Sequence, residues 1–590
     1  MMFGRYMVRF EGVIKLSSAL HIGSGDEDES YGALVVRNQT GEPFIPATTL
    51  AGLLRGIARH MAAAGTYGCK PPCLALDAKS MCGECVVCRV FGAAGDENAR
   101  ASAWEFGHAR WARDESLGRE AREVRDSVGI GRQSGAAATE RLFAQEVVPK
   151  GAKFAFSSCL HAADEDEIAL AIHCLDFWKE WGGRVGKASN SGLGKFRFDY
   201  CAEKLDLNDP VQLERYLFDD PMQTHQSVTV ICPHSRAYED QVRLLAKKVQ
   251  DAAGGAEDND AEPSKEARRL LFEAIRWDIT LQPVGPLQIK TDFGADDDVL
   301  TVEGKLGVTD PFETDRPDSA FVRTGEVGCD SISEVNYIPG RSLKGVVRSH
   351  CERILRTRWA LHNDDGVYLT HGATVVCDPN GSELPRLKPC GKDECRCPAC
   401  ELFGSTHYGG RVTVSEAFPV DASAFSERLK TLQRVSIDRI TGGAADKRLF
   451  SGRLLFAPEK PDPKLAMNFS IEMECPDSSE LGLMLFALRD LCKERLRVGF
   501  GKHVGQGKVA ATITGCSLLT REGSPIHLGL PDEGIGQSDV GCLKLSRWSP
   551  TQPLTLEGWH SVFGKLSKWG TDGWTEFLES WAALEGKTSG

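Results

Sequence analysis

A chain of 590 residues, 41% hydrophobic and 26% charged, is too long for one ordinary core, so several domains are expected. Its formal net charge of −13 argues against a simple cationic coat for nucleic acid. It has no apolar run long enough to span a bilayer and no signal-peptide core near Met1, so a cytoplasmic protein with no membrane partner is expected.

From the amino end, Tyr6 to Leu16 alternates imperfectly through Val8, Phe10, Val13 and Ile14 and reads as a strand, and Leu34 to Arg37 reads as a second. Thr48 or Thr49 can cap a helix whose apolar face is Leu50, Leu53, Leu54 and Ile57. A later helix, Ile168 to Trp181, carries Ile168, Ile172, Leu175 and Trp178 at helical spacing and stops at Gly182-Gly183. Strands at both ends with two helices between them fit an α+β fold with a ferredoxin-like βαββαβ core.

That pattern is written twice. Ile45-Pro46 with Leu50, Gly52 and Arg55 returns as Ile338-Pro339 with Leu343, Gly345 and Arg348. Cys85-x-x-Cys88-x-x-Phe91-Gly92 returns as Cys397-x-x-Cys400-x-x-Phe403-Gly404, and Arg132 with Arg141-Leu-Phe143 as Arg439 with Arg448-Leu-Phe450. Arg184-Val-Gly186 with Gly192-x-Gly194-Lys195 returns as Arg497-Val-Gly499 with Gly505-x-Gly507-Lys508. Four blocks in one order at nearly constant offsets mark a tandem duplication. Leu20-His21-Ile22 pairs with Leu287-Gln288-Ile289 at an earlier offset, so the second copy carries an insertion before its Ile-Pro block. The expected division is 1–250 for the first domain, 251–267 for a flexible linker, 268–515 for the second domain and 516–590 for a Trp-containing extension. The linker assignment rests on six carboxylates against one lysine between Asp251 and Glu266.

Of twenty cysteines, ten fall in two tight groups, Cys69, Cys73, Cys82, Cys85 and Cys88, then Cys377, Cys390, Cys395, Cys397 and Cys400. Tetrahedral zinc takes four thiolate or imidazole donors, so each group has one cysteine to spare, and His371 can also enter the second. Cys85, Cys88, Cys397 and Cys400 are the firmest ligands. Catalytic zinc of the deaminase kind needs an H-x-E motif, and neither group has one, so two structural Zn²⁺ sites are expected.

The glycine loops Gly182–Lys195 and Arg497–Lys508 combine close backbone approach with Lys187, Lys195, Lys502 and Lys508, a composition suited to phosphate. Neither matches a P-loop or a dinucleotide fingerprint. The Ile-Pro helices add Arg55, Arg59, Arg341, Lys344 and Arg348, with Lys344 and Arg348 on one face near the helix start.

The segments "LHIGSG…GEPFIPATTLAGLLR", "CVVCRVFG" and "GRQSGAAATERLF", and in the second copy "YIPGRSLKGVVR", "CPACELFGS", "IDRITGGAADKRLF" and "VGFGKHVGQGK", resemble the RAMP-type backbone subunit of type III CRISPR effector complexes. The tandem form resembles the fused double subunit of type III-D systems and the type III-E effectors. The resemblance covers roughly residues 6–200 and 276–515 and implies a role in antiviral defence with guide RNA, complementary target RNA and other type III subunits as partners. It implies a ferredoxin-like palm for the guide and a β-hairpin thumb at Arg439–Phe450, with Arg132–Phe143 as its counterpart. Guide contacts are expected from His21 and the cations above, together with Arg132 and Arg439. Sequence would be read by base pairing.

In the family, target cleavage depends on an Asp shortly before a Val-Ile-Arg/Lys-type strand, with Mg²⁺ or Mn²⁺. Pro317-Asp318-Ser-Ala-Phe-Val322-Arg323 matches, making Asp318 the expected catalytic residue. In the first copy the same register holds Gly32, so Asp26 or Asp28 takes the role there or that copy is inactive. Two alternatives stand beside metal-dependent cleavage. One is a non-catalytic guide scaffold. The other is precursor-guide processing, for which His21 and Lys187 could serve as acid and base.

Overall fold

The computed structural model describes residues 6–206 (except 29–31, 64–80, 95–98, 113–122 and 131–136), 208–212, 229–230, 272–292 and 319–362 (except 322, 328–331). It also describes 376–377, 397–520 (except 406–408, 459 and 476–477), 535–537 and 542–545. Asp318, Arg132, Cys69, Cys73, Cys390, Cys395, His371, the acidic linker and the tryptophans beyond residue 545 lie outside the described residues.

In the first repeat, β1 (Tyr6–Leu16) buries Val8, Phe10, Ile14 and Leu16 on one face and sends Arg9, Glu11 and Lys15 to the other. The hairpin strands that follow are β2 (Gly23–Asp28) and β3 (Gly32–Val35), and after them comes helix α1 (Ala47–Ala63). Short helix α2 (Val86–Phe91) precedes β4 (Trp104–Phe106) and β5 (Ala109–Trp111). A long pair, β6 (Glu123–Ile130) and β7 (Ala137–Val147), leads into β8 (Lys153–Ala163), α3 (Glu165–Trp181) and β9 (Lys195–Asp206). Helix α3 starts three residues before the expected Ile168. Asp164 and Glu167 form a capping box there, and the acidic first turn, Glu165 to Glu167, complements the positive helix end.

The sheet is antiparallel in the order β9-β1-β8, with β4 and β5 both along the far side of β8. Helices α1 and α3 pack on one face over Phe154, Phe156, Phe196 and Phe198, with Trp178 of α3 against the last three. The opposite face carries Arg9, Glu11, Ser157 and Cys159. Residues β2, β3, β7 and β6 form a second, smaller sheet.

The second repeat follows the same course. Strand β10 (Phe272–Pro283) is followed by the pair β11 (Arg323–Val327) and β12 (Ile332–Asn336), then α4 (Gly340–His362), α5 (Pro398–Phe403) and β13 (Val412–Val414). The hairpin β14 (Leu429–Ile437) and β15 (Ala444–Phe456) precedes β16 (Met467–Glu474), α6 (Ser478–Cys492) and β17 (Val509–Thr520). The sheet order β13-β16-β10-β17 matches the first repeat strand for strand. It also continues past residue 515, because Cys542–Leu545 pairs with β17, so part of the expected extension belongs to this sheet. Each repeat has its own apolar core.

The repeats meet through a polar joint. The loop end of the first repeat, after α3, sits on the helix-free sheet face of the second. Glu472, buried on β16, accepts from Arg184 at 2.8 Å, from Arg276 at 2.9 Å and from the Trp181 indole at 3.1 Å. Arg276 also stacks over the Trp181 ring, 4.0 Å from its centroid. A second buried group joins Arg125 of β6 to Glu416 and Thr324, with Glu123 bridging back to Thr324 at 2.9 Å. Gly192 and Gly340 touch backbone to backbone. A Cβ on Gly340 would fall 2.4 Å from the Val414 carbonyl and 2.8 Å from that of Ser191.

Candidate nucleic-acid interface

The glycine loops owe their shape to His21 and Gln288. His21 is buried at the end of the turn after β1, and its Nδ1 lies 2.6 Å from the Glu146 carbonyl. Its own carbonyl accepts from the Lys187 amide at 2.8 Å, while Gly186, at φ 88°, leaves no room for a Cβ against it. Gln288 does the same for the Phe500 amide and Gly499 in the second repeat. Both loops, which follow α3 and α6, are therefore pinned to the turn after the first strand of their repeat.

The cations expected from sequence then divide into three groups. Some hold the protein together. Arg55 donates to the Gly92 carbonyl at 3.0 Å and its repeat partner Arg348 to the Gly404 carbonyl at 2.9 Å, so each clamps the C-terminal end of a short cysteine-bearing helix. Arg348 also pairs with buried Glu352 at 2.8 Å, and Arg59 is half-buried one turn beyond Arg55. Lys195 is spent on the joint, its Nζ 3.2 Å from Ser470 of the other repeat, and Lys508 pairs with Glu494 at 2.8 Å. A sequence pattern cannot separate these duties from phosphate binding.

Others face solvent. Lys187 and Lys502 are both exposed on their loops, and partial desolvation of the Lys502 ammonium lowers its pKa. Arg439 sits at the tip of the β14–β15 hairpin beside Ile440, which is 95% exposed. Asp438 turns that tip by accepting from the Ile440 and Thr441 amides, each at 2.8 Å. Exposed Val435 and Ile437 continue the apolar edge.

One is buried without an opposite charge. Lys344, one turn into α4, is 7% exposed and makes no hydrogen bond or ion pair among the described residues. Burial, with Arg348 and Arg184 nearby, lowers its pKa to about 7. A buried cation among cations at a helix start lacks only an anion. Arg341 stands half-buried in the first turn of the same helix.

The cysteine groups come together as expected for the described members. Cys82, Cys85 and Cys88, and separately Cys377, Cys397 and Cys400, bring their sulfurs within 4.8 Å of one another. Cys85 and Cys397 are the N-caps of α2 and α5, so in each repeat the C-x-x-C pair straddles a helix start. Cys377 Sγ is 3.2 Å from Cys400 Sγ and 3.7 Å from Cys397 Sγ. Hydrogen bonds from Cys377 and Cys400 pull the Cys397 thiol well below its ordinary value. Three convergent thiols of this kind can hold a metal ion, with room for a fourth donor.

Among the described residues the candidate carboxylates do not converge. Asp26 and Asp28 lie on exposed β2, and among the described residues only the two cysteine trios group three or more potential metal ligands. The strand that follows Asp318 begins at Ser319 and pairs with Lys290–Asp292. Sequence reasoning missed Glu416, Glu472 and Arg125, since no motif marks them; the signal was only that Glu472 falls on a strand that should otherwise be half apolar, while Glu416 lies in the loop just after Val412–Val414. Among the described residues no helix is long and apolar enough to cross a membrane.

A family model described as the RAMP superfamily matches residues 13–197 and, a second time, residues 327–510. No curated protein matches the chain.

Proposed function

Because the chain belongs to the RAMP superfamily in two tandem copies, we propose that it is a guide-RNA-binding backbone subunit of a type III CRISPR ribonucleoprotein, and that its second repeat cuts target RNA. Family membership ties it to CRISPR-associated RNA binding. The observation that carries the finer reading is the buried, unneutralised Lys344 at the start of α4, a seat for one backbone phosphate. The β9-β1-β8 order with β4 and β5 beyond β8, under two helices, supports a ferredoxin-like palm. The β14–β15 hairpin, with Ile440 and Arg439 at its tip, supports a thumb that wedges between paired bases while its cation meets a phosphate. The cysteine trios support structural zinc, which would fasten α2 and α5 to their repeats through Cys85, Cys88, Cys397 and Cys400.

Asp318 is the residue to which cleavage is assigned, with Mg²⁺ or Mn²⁺ supplying charge at the scissile phosphate and the neighbouring 2′-OH as nucleophile. A first domain over 1–250, a second from 268 that takes in the strand Cys542–Leu545, a cytoplasmic location, and partnership with target RNA and other type III subunits complete the reading. The test compares wild-type complex with Asp318→Ala on a labelled complementary RNA in Mg²⁺. Loss of one product with guide binding intact supports the second repeat as a nuclease. An unchanged ladder reduces the chain to a scaffold, and cutting that persists in chelator points to precursor processing.

A further inference from the structure

The two long helices of the second repeat meet through a polar cluster that the first repeat lacks. His350, in the middle of α4 and 7% exposed, lies with its Nε2 2.9 Å from Asp490 Oδ2 near the end of α6. Arg353 donates to the His350 Nδ1 at 2.6 Å, so the ring is a neutral imidazole that donates from Nε2. Burial, with Arg353 and Arg489 beside it, lowers the His350 pKa although Asp490 raises it. The other carboxylate oxygen, Oδ1, accepts from Arg489 at 3.0 Å and from Arg495 at 2.9 Å. At the repeat offsets the first copy has Ile57 and Phe177 where the second has His350 and Asp490, and both pack against its apolar core. Holding the two helices together therefore needs no charge.

Three guanidiniums here share one carboxylate. Asp490 neutralises one of them, and the C-terminal end of α6 offsets about half a charge more. Among the described residues Arg353, Arg489 and Arg495 make no other ion pair, and exposed Lys493 makes none. A positive surplus therefore stands on one face of a chain whose net charge is −13. It is confined to one copy, since the first repeat has His60, Asp176, Glu180 and Gly182 at the positions of Arg353, Arg489, Lys493 and Arg495. Each guanidinium also keeps unused N–H donors. The Arg489 side chain is 30% exposed and that of Arg495 58%, and Arg353 is exposed beside them.

We propose that this cluster binds a phosphate monoester, the doubly charged terminal phosphate of a nucleotide. A guanidinium matches two phosphate oxygens at once, and a dianion cancels a surplus that a singly charged diester would leave. His350 and Asp490 are positioning residues, which fix the arginines before the ligand arrives. Lys344 lies on an earlier turn and another face of α4, so the two phosphate sites are separate. The nucleotide as carrier rests on the RNA reading above; the phosphate rests on the cluster alone.

The test is equilibrium dialysis of the full chain against adenosine 5′-monophosphate and against a 5′-phosphorylated pentaribonucleotide, each beside its unphosphorylated twin. Wild type and Lys344→Met are compared, so that phosphate held at the start of α4 is counted separately. Both phosphorylated probes are expected to bind on the order of ten-fold more tightly than their twins in either background. Arg353→Gln and Arg495→Gln, at exposed positions that leave the His350–Asp490 contact in place, each remove about ten-fold. The tighter probe identifies the carrier as a strand end or a free nucleotide. Equal binding of phosphorylated and unphosphorylated probes overturns the proposal. So does a preference that vanishes in Lys344→Met and ignores the arginine variants, which would return the phosphate to the guide seat and leave the functional reading standing. A phosphoserine peptide held more tightly than either nucleotide probe overturns the assignment of the carrier.

Discussion

Replacing Glu472 by Gln tests the joint most directly. The carboxylate is 5% exposed and holds two guanidiniums and an indole from two repeats. Burial alone would raise its pKa, but Arg184 and Arg276, helped by Trp181, overcome that and bring it from 4.5 to about 2. A depression of that size corresponds to roughly 3 kcal/mol of native-state stabilisation at neutral pH. Glu472→Gln removes the charge and leaves two desolvated guanidiniums, a loss of about 3–5 kcal/mol. Since each repeat keeps its own core, the loss should fall on the joint. Calorimetry at neutral pH is expected to show one transition in the wild type and two in the variant, the lower one shifted down. The sign with pH follows from the depressed pKa. The wild-type advantage is complete above the unfolded value, 4.5, and fades as pH falls toward about 2. A double-mutant cycle with Arg184→Ala gives the coupling itself. A coupling under about 0.5 kcal/mol, or an advantage that does not shrink on acidification, would refute the reasoning.

The remaining expectations are simpler. Lys344→Met should weaken guide-RNA binding and reduce its salt slope by about one, measured by filter binding from low to moderate salt. Because Lys344 titrates near 7 when no phosphate is bound, its contribution should be full below that pH and decline above it, and Lys344→Arg should flatten the profile. Arg55→Ala and Arg348→Ala should each lower stability by about 1–3 kcal/mol by freeing the Gly92 or Gly404 carbonyl, yet leave the salt slope of RNA binding unchanged. Elemental analysis should find two zinc ions per chain, one lost in Cys88→Ser and the other in Cys400→Ser; full occupancy in either variant would remove that thiol from the ligand set.

Much of the fold was legible because it depends on local periodicity. Strand Tyr6–Leu16 has the bounds its alternation predicts, and the end of α3 at Gly182 follows from a glycine at φ 82°. The helix predicted from Thr48 or Thr49 begins slightly earlier, at Ala47, whose amide is met by the His108 ring from 61 residues away. The hairpin was under-read. The Arg439–Phe450 motif covers its tip and part of one arm, while Leu429–Ile437 is an amphipathic strand with its exposed face too mixed to stand out. The site was read least well where one residue type serves two ends. Lys195 and Lys508 stand at the same point of the repeat, yet one faces Ser470 across the joint and the other an acid of its own repeat. Only the fold distinguishes them, because the deciding contact lies hundreds of residues away.

The meeting of Gly192 with Gly340 sets a pitch for the whole chain. Two backbones in direct contact admit no side chain and little tilt, so the distance from one hairpin to the next is dictated by the thickness of the protein between them. Lengthening or shortening the segment that joins the repeats should alter how readily they find each other and leave that distance as it was. A strand of RNA laid across both repeats would meet its two hairpins at an interval fixed by two glycines.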